Sequence, residues 1–208
     1  MTARRTLLSS AVALGLVSLA ASAQAQAPAG APPQRIRGSI ASYDAPVLSV
    51  VSREGPTVKI TLPQPATVGT VKAVELSSIK PGDFIGTAAE PGTDGTLKAM
   101  EVLVFPEAGR GTGEGHYAWD LAPGTSMTNA TVSAAVQANA GRELSLTYKG
   151  GSVKVQVPPN VPVVTFAPAS VTDLKPGAKV FVVASKAADG SYSGLRVVVG
   201  TNGVNPPM

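Results

Sequence analysis

One passage of this chain is written twice. Residues 80–105, KPGDFIGTAAEPGTDGTLKAMEVLVF, return 95 positions later as KPGAKVFVVASKAADGSYSGLRVVV at 175–199, with the KPG and DG landmarks in the same places. The register extends upstream, where TVKITLP at 57–63 matches SVKVQVP at 152–158, and thirteen of the 48 aligned positions from 57 to 104 are identical. Self-similarity at a fixed spacing constrains architecture more than any local propensity. Two copies mean two versions of one β unit rather than a long solenoid. A length of 208 residues suits that division. Hydrophobic residues make up 44% and charged residues 14%, which is too apolar for general disorder. Aromatics are only 4%, so the cores must be built from Val, Ile, Leu and Ala.

The N-terminal segment reads as a secretory leader. Arg4 and Arg5 precede an apolar run over 7–21, and Ala-x-Ala sites end at Ala23, Ala25 and Ala27. The run is shorter than the ~20 residues a spanning helix needs, so residues 1–27 are expected to be removed on export. Localisation is therefore expected to be periplasmic or secreted. Residues 28–34, PAGAPPQ, read as a proline-rich tether. The net charge of +4 falls to about +2 once Arg4 and Arg5 are gone, and no Lys/Arg cluster remains, which argues against nucleic-acid binding. Without cysteine, disulfides, thiolate metal sites and cysteine nucleophiles are excluded.

Turns and alternation place strands at 37–43, 47–52 and 57–62, the last stopped by Pro63 and Pro65, which cannot donate to a ladder. A short strand and a helical turn are expected within 71–79, then strands at 84–89 and 97–105 joined through Asp94-Gly95, a pair suited to the positive φ of a tight hairpin. The second copy repeats the order with strands at 129–137, 143–148, 153–157 and 163–166, a turn at 171–174, and two final strands. A tail beyond Gly200 reads as fraying. Three strands, a helical turn and two strands is the order of a five-stranded OB-like barrel. The expected fold is all-β: two tandem OB-like barrels at 35–106 and 128–200, joined by a long Gly-rich loop at 107–127. The alternative is one continuous β-sandwich.

Chemistry, if present, belongs in that loop, EAGRGTGEGHYAWDLAPGTSM, which holds the sole histidine and sole tryptophan. Long irregular connections are uncommon in folded domains and are often functional. GRGTGEG lacks the GK[ST] ending of a phosphate cradle. Glu107, Glu114, His116 and Asp120 offer metal donors, with Glu114, His116 and Asp120 the strongest set, but one histidine among scattered carboxylates falls short of a closed structural site. His116, Asp120 and Ser126 have triad chemistry without a nucleophile motif. The reading favoured by the residues is structural: Tyr117 and Trp119 anchor the loop in the groove between barrels, and Arg110, Tyr117 and Trp119 are the expected clasp or partner contacts. No catalytic residue and no cofactor are assigned. Lys80 and Lys175 read as solvated turn residues.

The leader, the IKPGDFIG and DLKPGAKV segments, the DG hairpins, and FPEAGRGTGEGHYAWD with SMTNATV resemble a family of exported bacterial proteins built from duplicated OB-like domains of unknown function. Similar sequences are sometimes labelled metal-transporter permeases, a label that the absence of a spanning segment after the leader does not support. The resemblance implies no catalytic residues. The expected function is a non-enzymatic periplasmic β protein that binds an envelope protein or a small ligand. The alternative is a metal- or solute-handling accessory of an envelope transporter. Intact mass of protein recovered from the periplasm is expected to give a mature N-terminus at Gln24, Gln26 or Pro28; an uncleaved leader in the membrane fraction contradicts the export reading.

Overall fold

The computed structural model describes residues 32–138 and 141–206. The leader, most of the proline-rich tether and the last two residues lie outside them. The strands are β1 (Gln34–Asp44), β2 (Val47–Ser52), β3 (Thr57–Thr61), β4 (Val68–Ala73), β5 (Phe84–Pro91), β6 (Leu97–Val104), β7 (Gly115–Ala118), β8 (Ser126–Ala138), β9 (Gly141–Tyr148), β10 (Gly151–Val157), β11 (Val163–Pro168), β12 (Lys179–Lys186) and β13 (Tyr192–Val199). Short 3-10 turns stand at Leu76–Ser78, Glu107–Gly109 and Val171–Asp173, and no α-helix occurs among the described residues. No helix there is long and apolar enough to cross a membrane. Burial alternates along the strands as a sheet with one covered face requires. In β12, for example, Val180, Val182 and Ala184 are buried while their neighbours are not.

Five strands close a mixed barrel. β1 pairs with β12 and β2, β2 with β3, and β12 with β13, all antiparallel; a parallel bridge between β3 and β13 at Ile60–Tyr192 and Thr61–Ser193 completes the circuit. The same connections recur among β8, β9, β10, β5 and β6. There the closing parallel bridge joins β10 and β6 at Val155–Leu97 and Gln156–Lys98. Each residue of one closing bridge stands 95 positions from its counterpart in the other, the offset that relates the KPG segments.

These circuits correct the expected tandem arrangement. The first takes three strands from the N-terminal half and two from the C-terminal half; the second takes the complementary set. Boundaries at 35–106 and 128–200 therefore do not enclose the strand circuits, because each half donates its last two strands to the other. The connecting strands are β4 and β11, which pair antiparallel with each other. β4 also runs parallel to β13, and β11 runs parallel to β6. The register of the central pair sets Val71 opposite Phe166, two residues that are themselves 95 apart. The described strands thus form one connected sheet path rather than two separate sheets.

The KPG turns explain why the exchange holds. Gly82 N donates to Val132 O and Val132 N donates to Asp83 O, while Gly177 N donates to Ile40 O and Ile40 N donates to Ala178 O. Each turn is therefore hydrogen-bonded to the first long strand of the opposite half. Gly82 and Gly177 have φ of 95° and 83°, a region that side chains avoid, so glycine is needed where the turn meets its partner strand. Lys80 and Lys175 are exposed.

Two main cores follow the circuits. Ile36, Ile40, Leu48, Val50 and Ile60 pack with Leu174, Val180, Val182 and Val197 in one. Ile79, Ile85 and Val102 pack with Val132, Leu144, Leu146 and Val155 in the other. Both mix residues from the two halves. A third cluster of Val71, Val164 and Val198 lies between them, flanked by Leu103, Phe166 and Phe181.

Three further expectations change. β1 begins at Gln34, inside the segment read as tether, because its first residues pair with β12. The Gly-rich loop is not free of secondary structure: it carries a 3-10 turn and β7, whose four residues pair with β8. Its short strand opens on Gly115 at φ 144°, so no alternating apolar pattern marks it. The segment after Gly200 does not fray within the described residues. Thr201 and Val204 form an isolated bridge, Thr70 and Thr201 share a hydrogen bond at 2.8 Å, and Val204 packs against the central cluster.

Interlocked circuits make the two halves dependent on each other. A chain cut between Pro123 and Gly124 is expected to remain a one-to-one complex of its two pieces through gel filtration, and to unfold in one transition. Separation into two independently folded pieces contradicts the exchange.

Candidate functional site

The central cluster leaves a cavity of about 220 Å³ where the two circuits meet. Its walls come from both: Gly86, Leu103 and Met127 on one side, Phe181, Val183 and Val198 on the other, with Val71 and Phe166 contributed by the central pair. Several lining residues are repeat equivalents, standing 95 apart: Val71 and Phe166, Gly86 and Phe181, Glu101 and Arg196, Leu103 and Val198. Three of the chain's four phenylalanines surround this place, Phe105 lying 5.9 Å from Phe166 in an edge arrangement, and the fourth, Phe84, lies 5.3 Å from Phe105. Gly86 is fixed by crowding: a Cβ there would sit 2.5 Å from Asn129 Oδ1 and 3.1 Å from the Phe105 ring.

The loop covers one flank. β7 attaches to the second circuit through β8, and beyond it Trp119 N donates to Thr125 O. The chain then reaches the first circuit. The Arg35 guanidinium lies 4.0 Å from the centre of the Trp119 ring and that of Arg37 lies at 5.7 Å. Arg37 Nη2 donates to Asp120 Oδ1 at 2.7 Å, and Arg35 pairs with Asp120 Oδ2 at 3.5 Å. Arg53 donates to the Asp120 and Leu121 carbonyls. Tyr117 and Trp119, ring centres 6.1 Å apart, both line the cavity. Asn129 Nδ2 donates to Thr112 O and to the Tyr117 hydroxyl oxygen.

Two groups of this flank have displaced pKa values. Burial opposes ionisation of Asp120, but the Arg37 hydrogen bond and the charges of Arg37 and Arg35 outweigh it and hold the carboxyl below its ordinary value of 3.8. Burial pushes the Tyr117 hydroxyl above its ordinary 10.0, with the charge of Arg35 acting in the other direction. Both groups keep their neutral-pH forms.

The residues singled out in the loop go to separate partners. Glu114 Oε1 accepts from Lys149 N at 2.9 Å. His116 Nδ1 and Thr128 Oγ1 share a hydrogen bond at 2.8 Å, and the imidazole stacks on Tyr148. Asp120 is held by arginines. Among the described residues no three His, Asp or Glu side chains gather as a metal-binding group. Arg110 donates to Glu107 and to Gly82 O, tying the 3-10 turn to the first KPG turn. Tyr117 and Trp119 are brought together at the cavity. Arg35, Arg37 and Arg53 carry no signal in the sequence, since β1 and the turn after β2 lie 67 to 83 residues from the loop atoms that Arg53 and Arg37 bond. Glu101 and Arg196 had one: a charge reversal at equivalent repeat positions.

Asp120 is a carboxylate with a depressed pKa, so its contribution to stability is present above the unfolded-state value and is lost as pH falls through the folded one. Trp119 emission is therefore expected to stay constant from neutral pH to about 4 and to shift red only on further acidification. Trp119→Ala is expected to cost about 2–3 kcal/mol from lost apolar burial and cation–π contact, with His116→Ala costing less. Thermal unfolding checks both; an unchanged melting temperature for Trp119→Ala contradicts the clasp.

No protein-family model, no curated protein and no solved structure matches this chain.

Proposed function

We propose that this is a non-enzymatic binding protein of the bacterial envelope, exported by its leader, in which two OB-like barrels act as walls for a small ligand held between them. One observation carries the reading: a cavity of about 220 Å³, mainly apolar, with a few polar groups converging on it. Binding sites have this composition, and they favour junctions between structural units. The strand order β1-β2-β3-β13-β12, with a 3-10 turn before the fourth strand, supports an OB-like description of the first circuit, and β8-β9-β10-β6-β5 supports the same for the second. The duplicated KPG and DG segments support descent of both from one unit.

The same residues weigh against the alternatives. His116 and Asp120, the candidates for catalysis or metal binding, are engaged by Thr128 and by Arg37. Their chemistry is absorbed in holding the loop in place, so metal handling is not carried forward as the preferred function.

Toluene, a neutral single-ring probe, tests the cavity directly. It is expected to bind the mature protein, with NMR shifts at Met127 and Val198. Leu103→Trp, which fills the space, is expected to abolish those shifts while keeping one cooperative unfolding transition; Val198→Phe serves as a second filling variant. Failure of toluene to bind, or equal binding to both filled variants, contradicts the proposal.

A further inference from the structure

The polar atoms around the cavity are unbalanced. Among the described residues, the buried side-chain polar atoms without a hydrogen-bond partner are Arg37 Nε and Trp119 Nε1, and both are donors. Trp119 lines the cavity; Arg37 stands behind it, outside the lining, with its guanidinium 5.4 Å from the ring of Phe181, another lining residue. Buried donors are ordinarily paired with an acceptor, so this flank is short of acceptors.

Charge points the same way. The lining contains two guanidiniums, Arg35 and Arg196, and one carboxylate, Glu101. Asp120, just outside it, is shared by Arg35 and Arg37 and so leaves the positive surplus in place. Each lining guanidinium rests over an aromatic ring, Arg35 over Trp119 at 4.0 Å and Arg196 over Phe166 at 5.7 Å. A guanidinium held against a ring keeps its in-plane N–H groups for the two oxygens of a carboxylate.

Volume sets the size of the occupant. An apolar cavity of about 150 Å³ admits benzene. The 220 Å³ here holds one ring and a small polar substituent, and it lies below the roughly 300–1,000 Å³ of pockets for drug-sized ligands. Phe105, Phe166 and Phe181 provide ring faces and edges for aromatic packing.

We infer that the ligand is a single-ring aromatic monocarboxylate, with its ring among Phe105, Phe166 and Phe181 and its carboxylate drawn to Arg196 and Arg35. This rests on the cavity being the binding site.

Benzoate, benzamide and benzylamine separate charge from shape. Titrated calorimetrically into the mature protein, benzoate is expected to bind at least about tenfold tighter than benzamide, a difference of about 1.4 kcal/mol, with benzylamine weakest. Arg196→Gln is expected to lower benzoate affinity about tenfold and leave benzamide unchanged. Arg196 is exposed on β13, so its replacement spares the Trp119 clasp that an Arg35 variant would disturb; should it still fail to fold, the benzoate-to-benzamide ratio on the unaltered protein decides. Equal affinities, or a preference for benzylamine, overturn the carboxylate assignment. In that case toluene binding shows whether the cavity reading survives; if toluene also fails, both fall together.

Discussion

The fold depends on the pairing of β4 with β11. Each half of the chain spends three strands in one circuit, passes through its central strand, and spends two in the other. The central strands must therefore lie side by side, and they do so with Val71 opposite Phe166. Their outer edges are taken by β13 and β6, the strands that end the two copies of the repeat. The backbone hydrogen bonds of four strands thus run continuously from one circuit to the other. Losing the central pair would open both, because the KPG turns that fasten each circuit emerge from these same connections. A small β barrel of five strands has a modest core on its own. Exchange of strands lets two such cores share one cooperative unit.

Strand positions were legible because they depend on local chemistry. β-branched residues alternate with polar ones in β3 and β10, prolines stop β3, and Asp94 and Gly95 adopt the positive φ that their hairpin needs. The equivalence of β3 and β10 was legible from TVKITLP and SVKVQVP. What could not be read was the partner. Two copies of one unit carry the same pairing preferences, so β1 meets equivalent edges on β5 and β12, and nothing in the sequence similarity ranks one above the other. Linker geometry decides this, and it is a property of β4 and β11 as they run through space. β7 is hidden for another reason: it is four residues long, and Tyr117 is its one large apolar side chain, too little to show an alternation.

The clasp shows how a sparse set of charges can fix a loop. Arg37 has a nearly buried side chain, 8% exposed, and a buried guanidinium is costly unless paired. Asp120 supplies the pair, and the Arg53 contacts to two loop carbonyls position the backbone that carries it. The Trp119 ring lies against the guanidiniums of Arg35 and Arg37, at 4.0 and 5.7 Å. The loop is therefore held by satisfying groups that β1 already needed to satisfy. Its lone histidine and its carboxylates attract attention as chemistry in the sequence, but in the fold they are matched one by one to structural partners.

Four pairs of equivalent positions face each other across the cavity, and all four differ between the copies. If they were identical at the cavity, two glutamates or two arginines would line the same confined space, and like charges in a low-dielectric setting repel strongly. Glu at 101 and Arg at 196 instead place opposite charges in the lining. Similarly, two phenylalanines at the positions of 86 and 181 would fill the space from both sides. With Gly86 on one side and Phe181 on the other, the space is kept open and given a face. The junction therefore carries one carboxylate, Glu101, and two guanidiniums, Arg35 and Arg196, with aromatic surface from Phe105, Phe166 and Phe181.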